Sequence, residues 1–452
     1  MTIKTIILAA GKGTRMKSNK AKVLHEIAGK AMLQHVIESV QPFNSDVVVV
    51  YGHDGEQVKQ QHSHLDINWV EQAEQLGTGH AVLQAVDHIM SDDVVLILYG
   101  DVPLIQSKTL GKMVESVSDT AMSLLTVKLN DPTGYGRIVR VDNKVSKIVE
   151  QKDASGPELL IKEVNTGIMA VKGDQLVSWV KMLRNDNAQT EYYLTDIIET
   201  AVSEGVSINT IKAEDEFEVQ GVNSKSQLCV LERHYQLQQA ETLMNEGVTL
   251  ADSKRIDIRG KLAITGHDVF IDINTVFLGH VSLGGHVHIG PNCVIENATI
   301  GEGVVIKANS VLENCVIGKN CTIGPFARIR PGADLAEDVH IGNFVEVKNT
   351  AIGEGSKINH LSYIGDAQIG KGVNVGAGTI TCNYDGVNKH RTEIKDGAFI
   401  GSGTQLVAPV SVGEGATLGA GTTLSKDAPA EALTVSRAKQ VTLNGWKKPT
   451  KS

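Results

Sequence analysis

The sequence predicts two successive folds, an α/β domain in its first half and a parallel β-helix in its second. In the first half, short apolar runs typical of buried strands alternate with helical patterns. From about Ile271 onward, apolar residues recur every six residues instead. The chain has 452 residues, which is more than one ordinary domain needs.

The α/β prediction depends on the order of the elements in the first half. The strand candidates are residues 5–9, 47–51, 94–99 and 121–127, and the helix candidates between them include residues 33–40 and 79–86. This alternation predicts an open α/β sheet, and such sheets bind ligands at the carboxyl ends of their strands.

A helical pattern separates the two halves. Leu228, Leu231 and Tyr235 are spaced as on one helix face, and Gly247 is a suitable stop. We therefore expect an α/β domain over residues 1–225, a linking helix over 226–247 and a repeat domain over 248–452.

The six-residue period continues through most of the second half. Positions in phase include Ile271, Phe277, Leu283, Ile289, Ile295, Ile317, Ile323, Ile329, Leu335, Ile341, Val347, Ile394, Ile400, Leu406, Val412, Leu418 and Leu424. A strand repeats every two residues and a helix every 3.6, so this period indicates a β-helix whose apolar residues fill a narrow core. Residues 378–389 interrupt it and are expected to form a surface loop.

Composition limits the possible functions. The formal net charge of -9 opposes general binding to nucleic acid or to anionic membranes. The five cysteines show no paired spacing, which argues against a disulfide framework or a zinc site. The first residues contain too short an apolar run for a signal peptide, and no stretch is long enough for a membrane span. The expected location is the cytoplasm.

The string LAAGKGTRM, residues 8–16, follows the first predicted strand directly. Glycines at this place let backbone N–H groups approach phosphate oxygens, and Arg15 and Lys22 can add charge-assisted contacts. The string matches neither a P-loop nor a dinucleotide fingerprint. On its own, the Gly-x-Gly-Thr within it could be an ordinary turn.

A second motif, LILYGDVPL at residues 96–104, places Asp101 at the end of a buried strand. A carboxylate in that position can hold Mg²⁺ together with substrate phosphates. Taken alone, Gly-Asp after a strand is more often a simple turn, but the glycine-rich string upstream favours the metal.

The first string resembles the signature of sugar-nucleotide pyrophosphorylases, L-x-x-G-x-G-T-x-M followed by Pro-Lys, although Ala21 stands here where the family has proline. With EQAEQLGTGHA, PTGYGRIV and EVNTGIMA, and with ARIRPGADL, KINHLSYIGDA and NVGAGTITCNYDG in the second half, nearly the whole chain resembles the bifunctional N-acetylglucosamine-1-phosphate uridylyltransferases / glucosamine-1-phosphate acetyltransferases.

For the first domain, the resemblance implies a Rossmann-like fold that transfers UMP from UTP to N-acetylglucosamine-1-phosphate and releases pyrophosphate. Arg15 and Lys22 would be catalytic, and Asp101 and Asn223 would hold Mg²⁺. The nucleotide and sugar would be bound by Leu8, Ala9, Ala10, Gly11, Lys22, Gln72, Gly77, Thr78, Tyr99, Gly100, Asp101, Gly136, Glu150, Asn165 and Asn223.

For the second domain, the resemblance implies a left-handed β-helix, a homotrimer and acetylation of glucosamine-1-phosphate by acetyl-coenzyme A. His360 would be the general base, a role that imidazole suits near neutral pH. The sugar phosphate would be bound by Arg330, Lys348, Tyr363 and Asn374, and acetyl-coenzyme A by Ala377, Asn383, Tyr384, Ser402, Ala420 and Arg437.

Other interpretations stay open from the residues alone. The protein could transfer a nucleotide to another sugar and use its β-helix for regulation, or the β-helix could be only a trimerisation scaffold. A lone His360 would more often be a plain surface residue. His280, His286 and His288 suggest a metal site, but no carboxylate or cysteine spacing accompanies them, so we do not expect one.

Overall fold

The computed structural model describes residues 2–52 and 55–450, and the chain divides into two compact units between Tyr235 and Gln236. The first unit is an α/β domain and the second is a β-helix, so the predicted fold class is confirmed. Among the described residues, no helix is both long and apolar enough to cross a membrane.

The first unit is built on a sheet with seven strands along its main path. The strands are β1 (Ile3–Ala9), β2 (Glu26–Ile27), β3 (Lys30–Ala31), β4 (Asp46–Tyr51), β5 (Asn68–Glu71), β6 (Val94–Tyr99), β7 (Ala121–Lys128), β8 (Arg137–Val141), β9 (Lys144–Val149), β10 (Glu163–Lys172) and β11 (Ser207–Lys212). The helices are α1 (Met32–Val40), α2 (Gly55–Gln61), α3 (Thr78–Gln84), α4 (Ser107–Glu115), α5 (Gly156–Leu159), α6 (Gly173–Val180) and α7 (Ile197–Ser203). Short 3-10 turns lie at Thr14–Met16, Lys22–Leu24, Gln41–Phe43, Val86–His88, Leu194–Asp196 and Glu216–Val219.

The strand order along the main path is β11-β7-β10-β6-β1-β4-β5. β1 pairs in parallel with β4 and β6, whereas β10 runs antiparallel between β6 and β7. β1, β4 and β6 are buried almost along their whole length, as expected for parallel strands covered on both faces. All four predicted strands are present, and the antiparallel β8–β9 hairpin was not predicted.

A helix, α8 (Lys225–Asn245), spans the point where the units divide. Within the first unit, Leu231 packs in one cluster with Met16 and Ile27. Within the second, Ala240 and Leu243 belong to the core of the β-helix. The apolar positions of α8 therefore serve two separate cores.

In the second unit, the named strands that the structure describes are mostly short and pair in parallel with the strands of neighbouring coils. They are β12 (Thr249–Leu250), β13 (Ile256–Ile264), β14 (Phe270–Ile271), β15 (Thr275–Leu283), β16 (His288–Ile289), β17 (Val294–Ile300), β18 (Val305–Ile306), β19 (Val311–Ile317), β20 (Thr322–Ile323), β21 (Arg328–Ile329), β22 (Asp334–Leu335), β23 (His340–Asn343), β24 (Glu346–Lys348), β25 (Ala351–Ile352), β26 (Lys357–His360), β27 (Tyr363–Gly365), β28 (Ala367–Ile369), β29 (Asn374–Val375), β30 (Ile380–Cys382), β31 (Thr392–Ile394), β32 (Phe399–Ile400), β33 (Gln405–Val407), β34 (Val410–Val412), β35 (Thr417–Leu418), β36 (Thr423–Leu424) and β37 (Leu433–Thr434).

The hexapeptide positions form the core of this unit. Ile289, Ile306, Ile323, Ile341 and Ile358 pair one above another on successive coils, and each is almost fully buried. Similar apolar columns fill the other faces. The coil is thus stabilised by contacts that each turn makes with its neighbours.

The predicted loop begins later than expected. Thr379 and Thr381 stay buried inside the coil, and β30 still pairs with β27 and β33. The chain leaves the coil only after Cys382 and returns at Thr392. Within this excursion, Asp385 accepts hydrogen bonds from the backbone N–H groups of Val387 and Asn388.

Candidate active sites

A cleft of about 320 Å³ opens at the carboxyl ends of β1 and β6. Its lining contains ten of the predicted nucleotide-site residues: Leu8, Ala9, Ala10, Gly11, Lys22, Gln72, Gly77, Thr78, Tyr99 and Asp101. Val23, Gln75, Ala81 and Glu191 also line it and were not predicted. The cleft is where an open α/β sheet is expected to bind its ligand.

The glycine-rich loop after β1 lies against Lys22. Gly13 has φ of +59°, and a Cβ there would come within 2.8 Å of the Cβ of Lys22. A Cβ on Gly11 would lie 3.7 Å from the Lys22 ammonium nitrogen. Glycine is therefore needed at position 13 for this loop to fold over the lysine, whereas a Cβ on Gly11 would make only an ordinary contact. Arg15 follows on an exposed turn and is not among the residues that line the cleft.

The ammonium group of Lys22 contacts both predicted metal ligands. It forms an ion pair with Asp101, and its nitrogen lies 3.3 Å from Oδ1 of Asn223. Lys22 and Asp101 are largely buried, with side chains 12% and 16% exposed. The Val222 N–H donates to the Asp101 carbonyl over 2.9 Å, which fixes the two segments together. Two oxygen ligands thus converge on one cationic position.

One wall of the cleft is held by hydrogen bonds around Gln72. Its amide nitrogen donates to the Gly77 carbonyl and lies 3.1 Å from Nδ1 of His80. Gly77 has φ of +113°, and a Cβ there would be 2.6 Å from the Tyr192 carbonyl oxygen. Thr78 Oγ1 accepts from the Leu194 N–H over 3.2 Å. The segment at Tyr192 and Leu194, which the sequence motifs did not reveal, supports this wall.

Gly136, Glu150 and Asn165 lie next to this cleft rather than in its lining. The Asn165 N–H donates to the Gly136 carbonyl over 2.9 Å, and a Cβ on Gly136 would be 3.2 Å from Oε1 of Glu150. Burial raises the pKa of Glu150, and a hydrogen bond from Thr195 partly offsets this. Burial, then the charges of Glu150 and Asp101, raises the pKa of Tyr99. The phenol of Tyr99 therefore stays neutral, and the effect of Glu150 on its pKa indicates that Glu150 lies near this cleft residue.

Gly100 connects the two motifs and lies between Tyr99 and Asp101, which line the cleft, although it is not part of the lining itself. Its N–H donates to the Leu8 carbonyl over 2.9 Å, and a Cβ there would be 3.2 Å from Cγ1 of Val23. The strand ends that carry Leu8 and Asp101 are consequently locked side by side.

In the second unit, His360 ends β26 and is exposed. Its Nδ1 lies 3.0 Å from Oδ1 of Asn343, its register partner on the preceding coil. Because the amide oxygen can only accept, His360 donates through Nδ1, and Nε2 carries the free lone pair. A histidine held in this way is suited to act as a base. Asn343 was not among the predicted residues.

A group of cations lies on the adjacent face. Arg330 donates from Nη1 to Glu346 over 2.6 Å. The pKa of Lys348 is lowered by the neighbouring Lys389 and further by Arg330. Tyr363 pairs with Glu346 in the same strand stack. Three cations so close together attract an anion such as a sugar phosphate. Lys389, from the loop, was missed.

The loop is anchored through Asn383, which is only 7% exposed. Its amide donates to Asp366, and Asp366 also accepts from Asn349 over 2.6 Å. Burial alone would raise the pKa of Asp366, but these amides and the charges of Lys389 and Lys348 lower it. Tyr384, the next residue, is exposed.

The remaining predicted residues follow one corner of the coils. The Gly403 N–H donates to the Ala377 carbonyl, and the Gly421 N–H to the Ser402 carbonyl. Arg437 Nε donates to the Ala420 carbonyl over 3.0 Å. Ala377, Ser402 and Ala420 therefore form a column of small side chains that ends at Arg437. Asn374 pairs with Phe399 on a neighbouring face.

Comparison with known families defines the class of the protein. Residues 5–141 match the MobA-like NTP transferase domain, residues 260–343 the GMPPB C-terminal domain, and residues 391–426 the bacterial transferase hexapeptide (six repeats). With the cleft and the coil described above, these matches define a nucleotidyltransferase joined to a hexapeptide-repeat transferase.

Full-length relatives define the family. The chain is 55% identical to "Bifunctional protein GlmU" of Methylococcus capsulatus, over 100% of this chain and 98% of the relative. It is 55% identical to the protein of that name in Azoarcus sp., with 99% and 100% covered, and 56% identical to that of Thiobacillus denitrificans, with 99% and 97% covered. The chain belongs to the bifunctional GlmU family.

The predicted function is thereby confirmed. The protein is a bifunctional enzyme of UDP-N-acetylglucosamine synthesis, with a uridylyltransferase activity and a glucosamine-1-phosphate acetyltransferase activity. A divalent metal and acetyl-coenzyme A belong to these activities, and the substrates are small molecules. The alternatives of a purely regulatory or purely structural β-helix do not account for this family membership.

Proposed function

We propose that Lys22, Asp101 and Asn223 form the reaction centre of uridylyl transfer. The observation that carries this is the contact of one ammonium group with both oxygen ligands. The residues fit a divalent cation, because carboxylate and amide oxygens are ligands that Mg²⁺ accepts. We assign Mg²⁺ to Asp101 and Asn223, where it would neutralise charge on the phosphates.

The chain's own residues account for the rest of the reaction. A phosphate oxygen of N-acetylglucosamine-1-phosphate attacks the α-phosphorus of UTP, and pyrophosphate leaves. Such a transfer needs positioning and charge neutralisation rather than a protein nucleophile. Lys22 and Arg15 contribute positive charge, and Leu8, Ala9, Ala10 and Gly11 offer the backbone at the strand end. Gln72, Gly77, Thr78 and Tyr99 line the cleft, with Gly100, Gly136, Glu150 and Asn165 beside it.

Acetyl transfer is assigned to the face that carries His360. Nε2 of His360 takes a proton from the ammonium group of glucosamine-1-phosphate, and the amine attacks the thioester carbonyl of acetyl-coenzyme A. The C–S bond breaks, and the second proton that the nitrogen loses goes to the leaving sulfur, so that coenzyme A leaves as its thiol. Arg330, Lys348 and Lys389 bind the sugar phosphate, with Tyr363 and Asn374 nearby.

Acetyl-coenzyme A is assigned to the corner formed by Ala377, Ser402 and Ala420. Their short side chains leave room for an extended chain along the coils. Arg437 lies at one end of this column, where its charge suits phosphate groups. Asn383 and Tyr384 would border the reacting end, because the Asp366 contact fixes their loop.

The active assembly is proposed to be a homotrimer in the cytoplasm. His360 is flanked by Phe344 and Leu361, which are 56% and 62% exposed. Phe344 also stacks on Phe326, at 5.3 Å between ring centroids. Exposed apolar side chains of this size are typical of interaction surfaces. A neighbouring subunit would cover these exposed side chains and complete the acetyl site. Light scattering of the intact protein tests this by measuring how many chains the assembly contains.

The assignment of the two activities is tested by leaving out one reactant at a time. The protein is incubated with glucosamine-1-phosphate, acetyl-coenzyme A, UTP and Mg²⁺, and each is left out in turn. Thiol release should require only the first two, whereas pyrophosphate release should require all four. Pyrophosphate release without Mg²⁺ would contradict the metal assignment.

A further inference from the structure

Three potential metal ligands converge at one corner of the β-helix, and none of them has a role in the two sites assigned above. Nδ1 of His267 lies 2.8 Å from Oδ2 of Asp268, and Nδ1 of His286 lies 3.6 Å from the same oxygen. One ligand atom from each residue lies within 4.8 Å of the other two. The two imidazole rings meet edge to face, with centroids 4.9 Å apart.

The coil itself brings these side chains together. The His286 N–H donates to the His267 carbonyl over 2.8 Å, so the two Gly-His pairs lie on successive coils. A Cβ on Gly266 would be 2.4 Å from the Cα of Gly285. Only glycine permits so close an approach, and the backbone that carries both histidines is therefore held tightly.

Asp268 and His286 occupy the same left-handed corner position in consecutive coils. Their φ angles are +58° and +57°, and Gly303 takes that position with φ of +72° in the next coil. Because the backbone has the same geometry at both positions, the side chains of Asp268 and His286 leave the coil in the same direction, one above the other. The cluster thus depends on backbone register rather than on a single side-chain rotamer.

We propose that His267, Asp268 and His286 bind one divalent transition-metal ion of the Zn²⁺, Ni²⁺ or Co²⁺ class. Two imidazoles and one carboxylate are a donor set that suits such ions, whereas Mg²⁺ and Ca²⁺ prefer oxygen ligands alone. Ligand atoms around a tetrahedral ion with bonds of about 2.0–2.1 Å lie about 3.3 Å apart. The observed separations of 2.8 Å and 3.6 Å from Asp268 lie on either side of this value.

The exposure of the cluster indicates how it would bind. The side chains of His267, Asp268 and His286 are 80%, 70% and 51% exposed, so water completes the coordination. The metal replaces the contact between His267 and Asp268. A bound ion links two coils and raises the melting temperature.

The sequence-based expectation was different. It considered His280, His286 and His288, and no nearby carboxylate completed that group. In the structure, His286 instead joins His267 and Asp268 from the coil before, while His288 stacks on Phe270. The missing carboxylate is that of Asp268, which lies on the coil before His286 and therefore far from it in the sequence.

The test uses the full-length chain with D101N and C229S, which remove the proposed Mg²⁺ ligand and the exposed thiol. Metal-free protein is titrated with Zn²⁺ by calorimetry and with Co²⁺ by absorption spectroscopy, and acetyl transfer confirms that it is folded. We expect one ion per chain. His286→Gln should weaken binding at least about tenfold, because losing even an outer partner of a metal ligand costs that much.

His288→Gln is the matched control, because it removes an exposed histidine from the neighbouring strand. It should leave the affinity unchanged. Equal affinity in His286→Gln and its parent would overturn the proposal, as would equal losses in the two glutamine variants. Absence of binding below about 1 mM, the weak end of specific affinities, would also overturn it.

Discussion

Lys22 contacts both proposed metal ligands, and this contact makes Asp101 the most informative residue of the first site. Asp101→Asn keeps the size of the side chain and removes its charge. We expect uridylyl transfer to fall by about 10²–10³-fold, as when one preorganised electrostatic contact is lost. Acetyl transfer should be unchanged, and both rates are measured as pyrophosphate and thiol release.

A chelator provides the control for this variant. It should reproduce the loss of uridylyl transfer in the parent protein without affecting thiol release. If a folded Asp101→Asn protein loses both activities, Asp101 does not belong to one site alone.

Asn343 is a positioning residue for His360, since it accepts the Nδ1 proton. Asn343→Asp places a carboxylate there, which raises the pKa of the imidazole. At any given acidic pH, more of His360 is then protonated and unable to accept a proton. The acid limb of the acetyl-transfer profile, measured as kcat/KM against pH, should move to higher pH.

Asn343→Ala is the companion variant. It should lower kcat for acetyl transfer with little change in the KM for acetyl-coenzyme A. An unshifted pH profile in Asn343→Asp would show that this contact does not act on the base.

At the scale of elements, the start of α3 depends on Gly77 and its left-handed backbone. Gly77→Ala introduces a Cβ that meets the Tyr192 carbonyl at 2.6 Å. We expect a loss of about 1–3 kcal/mol in the free energy of unfolding of the first unit, the usual cost of such backbone strain. The KM for UTP should rise as well.

Denaturant unfolding and uridylyl-transfer kinetics together check this prediction. Gly134→Ala is a suitable control, because this glycine also has positive φ but a Cβ there would contact nothing within 4 Å. Gly134→Ala should therefore cost less than Gly77→Ala. Equal stability of Gly77→Ala and the parent would contradict the role of this turn.

The sequence predicted best those elements whose pattern is local. The six-residue period identified Ile323 and Ile341 as core positions because each faces inward by itself. Asn343 and Lys389 could not be found in that way. The role of Asn343 depends on which residue of the next coil stands opposite, and the coils pair 17 or 18 positions apart, as Ile306 with Ile323 and Ile323 with Ile341 show. The role of Lys389 depends on how the loop folds back beside Lys348.

In the first unit as well, local sequence patterns could not reveal residues that arrive from distant segments. The glycine-rich string and Asp101 follow predicted strands directly, so strand prediction also located the cleft. Glu191 lines the cleft from a distant segment that carries no motif, and only the folded chain brings it there. Arg15 is the opposite case, since its motif predicted a role but its side chain is exposed outside the lining.

For the whole molecule, two separate cores predict two separable activities. A fragment that ends near Gly247 retains the cluster of Leu231 with Met16 and lacks every residue of the acetyl site. It should keep uridylyl transfer and lose thiol release, because domains with their own cores fold alone. A folded fragment, judged by circular dichroism, without pyrophosphate release would refute this.

The central claim is that two distinct sites act in sequence within one chain. The full-length His360→Ala variant tests it most directly, when it is given glucosamine-1-phosphate, acetyl-coenzyme A, UTP and Mg²⁺. Thiol release should fall by about 10²–10⁴-fold, the usual contribution of a general base, and pyrophosphate release should fall with it. Adding N-acetylglucosamine-1-phosphate should restore pyrophosphate release to the parent rate. Thiol release at the parent rate, or pyrophosphate release that this addition does not restore, would contradict the account.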